Sequence, residues 1–151
     1  MTCRTFAARC AAAFLLTYLS VGTVLAGTTP TELAGGKVAT AEEVKAAIET
    51  GATVIDTRVA NEYAEAHIKG AISVPYREKS AKEANYDPAQ DRFDLGKLPA
   101  AKDKTIVTYC NGPECWKSFK AAVAAIKGGY SNVLWYRQGL PDWKSKGLPV
   151  E

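Results

Sequence analysis

Cys110 and Cys115 are the residues of this chain best placed to do chemistry. Cys110 directly follows Thr105-Ile106-Val107-Thr108-Tyr109, a β-branched, uninterrupted run that reads as the clearest strand in the sequence. That puts its thiol at the carboxyl end of a strand, where open α/β sheets place their ligands. The stretch Asn111-Gly112-Pro113-Glu114-Cys115-Trp116 comes next, followed by a helical pattern from Ser118 to Lys127. A strand, a short glycine-containing loop and a helix start together aim several backbone N–H groups at one point, and such a concavity favours an anion. A thiolate held there has a lowered pKa, the more so if Lys117 and Lys120 point inward. Cys110 could instead be a buried apolar residue, as free cysteines often are. The Gly-Pro loop and the helix behind it favour a reactive thiol.

The elements that must position this thiol alternate along the chain. Thr40 and Glu43 form a capping-box pattern. The helix it opens carries Val44, Ala47 and Ile48 on one face, and Gly51 is placed to end it. Thr53-Val54-Ile55 reads as a strand stopped at Asp56, Ala60 to Ala66 as a short helix, and Ala71 to Val74 as a strand stopped by Pro75. Residues 77 to 104 are polar and hold Pro88, Gly96 and Pro99, the pattern of a long connection with at most a helical turn. It is either a lid or partner surface, with Tyr76, Arg77 and Lys79 at its start, or a solvated link. In the helix from Ser118, Ala121, Ala122, Ala125 and Ile126 face the core, and Gly128-Gly129 ends it. Val133 to Tyr136 is a last strand and Leu140 to Lys146 a short helix or turn. This alternation predicts an α/β fold with a largely parallel sheet covered on both faces.

Composition narrows the function classes. The 151 residues, 47% hydrophobic and 23% charged, suit one packed domain and exclude intrinsic disorder. Nineteen basic against 16 acidic residues, scattered, give no basic stripe for nucleic acid. A single histidine excludes a His-rich metal site, and four cysteines are too few for a disulfide scaffold. No metal or organic cofactor is expected. Residues 1–26 read as a secretory signal peptide: Arg4 and Arg9 form the basic region, Ala11 to Leu25 the apolar one, and Val24-Leu25-Ala26 the cleavage signal. The alternative is an uncleaved anchor, but the apolar run is shorter than the ~20 residues of a spanning helix. Cleavage would remove Cys3 and Cys10, leave Cys110 and Cys115 in an oxidising compartment, the periplasm of a bacterium, and leave no membrane attachment. The expected organisation is signal 1–26, flexible lead-in 27–37 and one domain over 38–151.

Several segments resemble the rhodanese-like sulfurtransferases. Val54-Ile55-Asp56-Thr57-Arg58, Glu62-Tyr63, His67-Ile68-Lys69-Gly70-Ala71 and Val74-Pro75 look like the first half of such a domain. Ile106 to Cys110 looks like the strand leading to the family's catalytic cysteine, and Gly129-Tyr130 to Val133 with Gly139, Trp143, Gly147, Pro149 and Val150 resembles its closing segment. Each motif is short; their order and spacing over Val38 to Glu151 make the resemblance specific. It implies a five-stranded, mainly parallel sheet with helices on both faces. It also implies a cysteine, here Cys110, that takes a sulfane sulfur from a donor such as thiosulfate as a persulfide and passes it to a thiol or cyanide-type acceptor. Asn111, Gly112, Pro113, Glu114, Cys115, Trp116 and Lys117 would form the anion cradle. Asp56 and Arg58 would lie near that loop, or Arg58 would pair with Glu62 as a helix-start ion pair. His67 matches a position of structural rather than catalytic role.

Two features depart from the family pattern. Aligning the helix alanines suggests a loop about two residues longer than usual, and so a wider cradle. Where related phosphatases carry an arginine after five loop residues, this chain has Trp116, so the bidentate phosphate grip is missing and phosphatase activity is not expected. Cys115-Trp116 is similar to the Cys-three-residues-Cys-Trp motif of an exported subgroup associated with quinoprotein-dependent catabolism, although the spacing here is one residue longer. Cys115 would resolve a Cys110 persulfide, close a disulfide that switches the site off, or be an inert loop residue. Two rivals to the enzyme therefore stay open. One is a non-catalytic sulfur carrier or disulfide module serving a periplasmic protein partner; the other is a thiol–disulfide oxidoreductase, for which the spacing is wrong. Trp116 is the candidate for lining a substrate mouth, and Trp143 for the core.

Overall fold

The computed structural model describes residues 27–151; the signal-peptide reading of residues 1–26 lies outside them. Five strands form the sheet: β1 (Lys37–Val38), β2 (Thr53–Asp56), β3 (Ile72–Ser73), β4 (Ile106–Tyr109) and β5 (Val133–Tyr136). All four pairings are parallel, in the order β1-β5-β4-β2-β3, so β4, the strand that leads into Cys110, is central. Asp56, Tyr109 and Tyr136 stand in register at the carboxyl edge. Four helices connect or cover the strands: α1 (Ala41–Glu49), α2 (Ala60–Glu65), α3 (Trp116–Lys127) and α4 (Gly139–Ser145).

Residues of the central strands alternate between two cores, as a period of two requires. Ile106 packs on the α3 side with Ile55, Phe119, Ala122, Ala125 and Trp135. Val107 and Tyr109 face the other side, with Val44, Ile68, Tyr136, Leu140 and Trp143. The next step of that alternation returns the chain to the α3 side, which is where Cys110 meets the start of α3. The capping box at Thr40 forms as the spacing predicts: Glu43 N–H donates to the Thr40 hydroxyl and Thr40 N–H to the Glu43 carboxylate.

Several expectations are corrected. Residues 27–37 do not form a flexible lead-in. Thr29 and Leu33 are buried, and Lys37 opens strand β1, which pairs with β5. The segment is ordered because Arg137 donates to the Thr29 hydroxyl, to the Thr29 carbonyl and to the Pro30 carbonyl. Asp56 belongs to β2 rather than stopping it, because a carboxylate can enter a buried strand when it has enough donors. Residues 77–104 contain two short 3-10 turns, Pro88–Gln90 and Leu95–Lys97.

That long connection is tied by Asp91. Its carboxylate accepts from the Tyr76 hydroxyl (2.8 Å), the Lys79 and Ser80 amides (2.7 and 2.8 Å) and the Ser80 hydroxyl (2.6 Å). Burial alone would raise its pKa, but the Ser80 hydroxyl, the two amides and the Tyr76 hydroxyl outweigh it and hold the group down at about 2. A carboxylate depressed on folding stabilises the protein above its unfolded pKa and loses that contribution as pH falls through the folded one. Asp91→Asn is therefore expected to cost about 2 kcal/mol at neutral pH. The difference from wild type should close as the pH falls from about 4 toward about 2. Urea unfolding at pH 7 and pH 3 measures this; an equal cost at both would refute the charge-based account.

Candidate functional site

Cys110, 1% exposed, follows β4 and is joined by a disulfide to Cys115, with the two Cα atoms 6.2 Å apart. Cys115 is the N-cap residue of α3. The helix starts at Trp116, two residues before the expected Ser118, so Trp116 and Lys117 lie in its first turn. The physical reason is local. Gly112, at φ +130°, turns the chain, and the Cys115 amide donates back to the Gly112 carbonyl at 3.0 Å, closing the loop early.

The loop is clamped from two directions. The Pro113 carbonyl accepts from the Thr29 amide (2.9 Å) and hydroxyl (2.5 Å), and the Cys110 carbonyl accepts from the Leu140 amide (2.9 Å). Gly139, at φ +67°, lies so close that a Cβ there would run into the Cys110 carbonyl and the Gly112 amide. Gly51 also has a positive φ, but open space surrounds it. We expect Gly51→Ala to cost only about 1 kcal/mol of backbone strain. Gly139→Ala should cost clearly more and displace the cysteine loop, measured as unfolding free energy together with turnover. Equal costs would show that the contact is not tight.

What remains is a row of backbone donors. Among the described residues the amides of Asn111, Gly112, Glu114, Trp116, Lys117 and Ser118 meet no backbone acceptor, whereas that of Cys115 is spent on the Gly112 carbonyl. These N–H groups, with the positive end of the α3 dipole behind them, can hold an anion in front of Cys110. The helix start is fixed to the sheet by Ser118, whose carbonyl accepts from Thr108 on β4 and whose hydroxyl accepts from the Trp135 indole on β5, both at 3.0 Å. A cleft of about 660 Å³ opens beside the loop 111–117, with Thr28, Glu78 and Lys82 on its other walls. Two acidic side chains, Glu78 and Glu114, and two basic ones, Lys82 and Lys117, line it. Its attraction for anions therefore comes from the backbone rather than from side-chain charge. Trp116 lines the cleft as expected; it is buried, packs edge-on against Phe119, and its indole N–H meets no acceptor among the described residues.

Asp56 and Arg58 do lie beside the loop, but the Glu62 pairing does not form. Arg58 spends its guanidinium on the Asp56 carboxylate (2.6 Å at the closest) and on the Ala66 carbonyl, reaching Asn111 only at 3.4 Å. Glu62 instead accepts from the Asn111 amide group at 2.5 Å. Burial by itself would lower the Arg58 pKa, but Asp56, with smaller help from Tyr109 and Glu62, raises it. Burial, reinforced by the neighbouring Asp56 charge, pushes the Tyr109 hydroxyl up; that hydroxyl donates to Asp56 at 2.5 Å.

Lys120 does not face Cys110. Its fully buried ammonium donates to the Ser80 hydroxyl and the Ala81 carbonyl, both at 2.8 Å, and lies 2.9 Å from Glu78. It fastens α3 to the long connection. His67 stacks on Tyr63, and its backbone exchanges hydrogen bonds with Glu151. Trp143 is core, its indole donating to the Pro149 carbonyl. Thr29, Glu78, Lys82 and Arg137 were not expected at the site, and Gly139 was expected only as part of the closing segment, not beside the cysteine loop. Only Gly139 carried a signal, because a glycine just before a helix marks a positive φ or a close approach. Among the described residues no group of three or more His, Cys, Asp or Glu is arranged to hold a metal.

Comparison with known proteins agrees with this geometry. The model of the rhodanese-like domain matches residues 40–146. Thiosulfate sulfurtransferase 16 of Arabidopsis thaliana is 26% identical over 101 residues, 67% of this chain and 81% of the plant protein. The HTH-type transcriptional regulator Rv0324 of Mycobacterium tuberculosis is 33% identical over 99 residues, 66% of this chain, but the match spans only 37% of the regulator. Among solved structures, the BH2092 protein of Bacillus halodurans superposes with a TM-score of 0.56 at 27% identity, covering 76% of each chain. A thiosulfate sulfurtransferase of Pseudomonas aeruginosa superposes at 0.57 and 24% identity, over 77% of this chain and 20% of its own, and supports the fold.

Proposed function

This chain belongs to the rhodanese-like domain family, a family of sulfurtransferases, and on that premise we propose that it moves a sulfane sulfur from thiosulfate to a thiophilic acceptor through Cys110. The observation that carries the reading is the position of Cys110 at the end of the central strand, facing the unspent amides at the start of α3. The reduced Cys110 thiolate attacks the outer sulfur of thiosulfate; the S–S bond of the donor breaks and sulfite leaves. The outer sulfur of the resulting persulfide is then taken by cyanide or a thiolate, which regenerates Cys110. The amides need no general base for this, because both the thiolate and the persulfide are anions that N–H donors stabilise directly. Each such charge-assisted bond contributes about 1.5–3 kcal/mol. The test is thiosulfate-dependent thiocyanate formation by the reduced chain, with sulfite released in the first step. No sulfite release from thiosulfate would overturn the choice of donor.

The Cys110–Cys115 disulfide supports a second reading, in which the domain serves a partner oxidation system as a sulfur carrier or disulfide module without turnover. It is distinguished by a chain that cycles between dithiol and disulfide but gives no thiocyanate. In either reading we propose export, with residues 1–26 removed and the domain working in the periplasm. Terminal sequencing of the protein from the periplasmic fraction should begin at Gly27; a start at Met1 would overturn this.

A further inference from the structure

We infer that Cys115 is a resolving cysteine, and that this chain ends its sulfur transfer by releasing sulfide and closing the Cys110–Cys115 disulfide. The inference rests on the Cys110 persulfide reading and adds the fate of the sulfur.

The geometry favours an internal acceptor over an external one. Cys110 is buried, whereas Cys115 is half-buried and lines the cleft. The closed disulfide and the clamps on the loop coexist: the Thr29 bonds to Pro113 and the Leu140 bond to Cys110 are all in place with the two sulfurs joined. A thiol held beside its target on a fixed loop gains the entropic advantage of an intramolecular reaction, worth effective concentrations of about 10⁵ M or more when alignment is good. No dissolved thiol matches that.

The step balances as follows. The Cys115 thiol attacks Sγ of Cys110 in the persulfide, a new Sγ–Sγ bond forms, and the bond from Sγ to the outer sulfur breaks. The outer sulfur leaves as HS⁻ with the thiol proton. In this step the outer sulfur is reduced to sulfide and the Cys115 sulfur is oxidised, while the Cys110 sulfur, already at the disulfide level in the persulfide, keeps its oxidation state. Renewed turnover then needs a dithiol reductant. Its first thiolate attacks the accessible sulfur, that of Cys115, and expels Cys110 as the thiolate facing the α3 amides; its second thiol releases Cys115 and carries the disulfide away. In a reaction sequence the chain thus takes thiosulfate to sulfite and sulfide at the expense of a dithiol oxidoreductase.

The test uses the reduced, desalted chain without any acceptor, challenged separately with thiosulfate and with glutathione persulfide. With either donor wild type should release sulfide and finish two hydrogens lighter than the reduced form. Cys115→Ser and Cys115→Ala should each retain one added sulfur and release no sulfide. Cys110→Ser should take up no sulfur. Wild type that stays a stable persulfide overturns the inference and leaves the sulfurtransferase reading intact. If only glutathione persulfide loads the chain, and sulfide and the disulfide follow, the inference holds and thiosulfate as donor falls. If neither donor loads Cys110, both fall.

Discussion

The oxidised chain should transfer no sulfur, and a dithiol should restore the activity. In the disulfide both candidate sulfurs are spent, so no thiolate exists to attack a donor. Reduction frees the Cys110 sulfur in front of the α3 amides, whose N–H groups stabilise an anion there. Cys110→Ser should then lose at least about 10³-fold in thiocyanate formation whatever the redox state, because serine lacks an ionised nucleophile at neutral pH. Cys115→Ser should be active without reduction, since it has no partner with which to close the site. Transfer by the fully oxidised wild type, verified by the absence of free thiols, would contradict the assignment of Cys110. Activity in Cys110→Ser would do so as directly.

The second large effect concerns Asp56 and Arg58. Both are buried, and the guanidinium is consumed by the carboxylate and the Ala66 carbonyl. Removing one partner of a buried pair leaves an uncompensated charge and costs about 3–5 kcal/mol. Arg58→Leu is expected in that range by urea unfolding, and Asp56→Asn somewhat below it because the amide still pairs with part of the network. The double replacement Asp56→Asn with Arg58→Leu should cost less than the sum of the two. Both single variants, where folded, should keep turnover within a few-fold of wild type. A Michaelis constant for thiosulfate raised tenfold or more in folded Arg58→Leu would instead make the arginine an anion-binding residue.

Much of this fold was legible in the sequence because its signals are local. The capping box at Thr40 and the β-branched run before Cys110 each specify their element within a few residues. Strand β1 was not legible. Two residues, Lys37 and Val38, carry no periodicity, and they become a strand only because β5 offers its edge. The start of α3 was placed late for a related reason: Trp116 and Lys117 become helical once the Gly112 turn and the Cys115 cap are set. Lys120 was the plainest surprise, since a lysine on a helix is ordinarily solvated. Here Glu78, Ser80 and Ala81 converge on its ammonium from a loop some forty residues away, at sequence separations of 39 and 40 for the hydrogen-bonded pair.

By itself the sequence determined the α/β class, the family and the cysteine at the end of the strongest strand, because hydrophobic period, turn chemistry and motif order are all written in near neighbours. Tertiary structure alone decided which groups surround that cysteine. Thr29, Leu140 and Gly139 hold its loop, Asp56 takes Arg58 away from the anion site, and Cys115 comes to rest on Cys110. Each of these depends on distances set by strand order and register, which bring together segments that no local pattern relates.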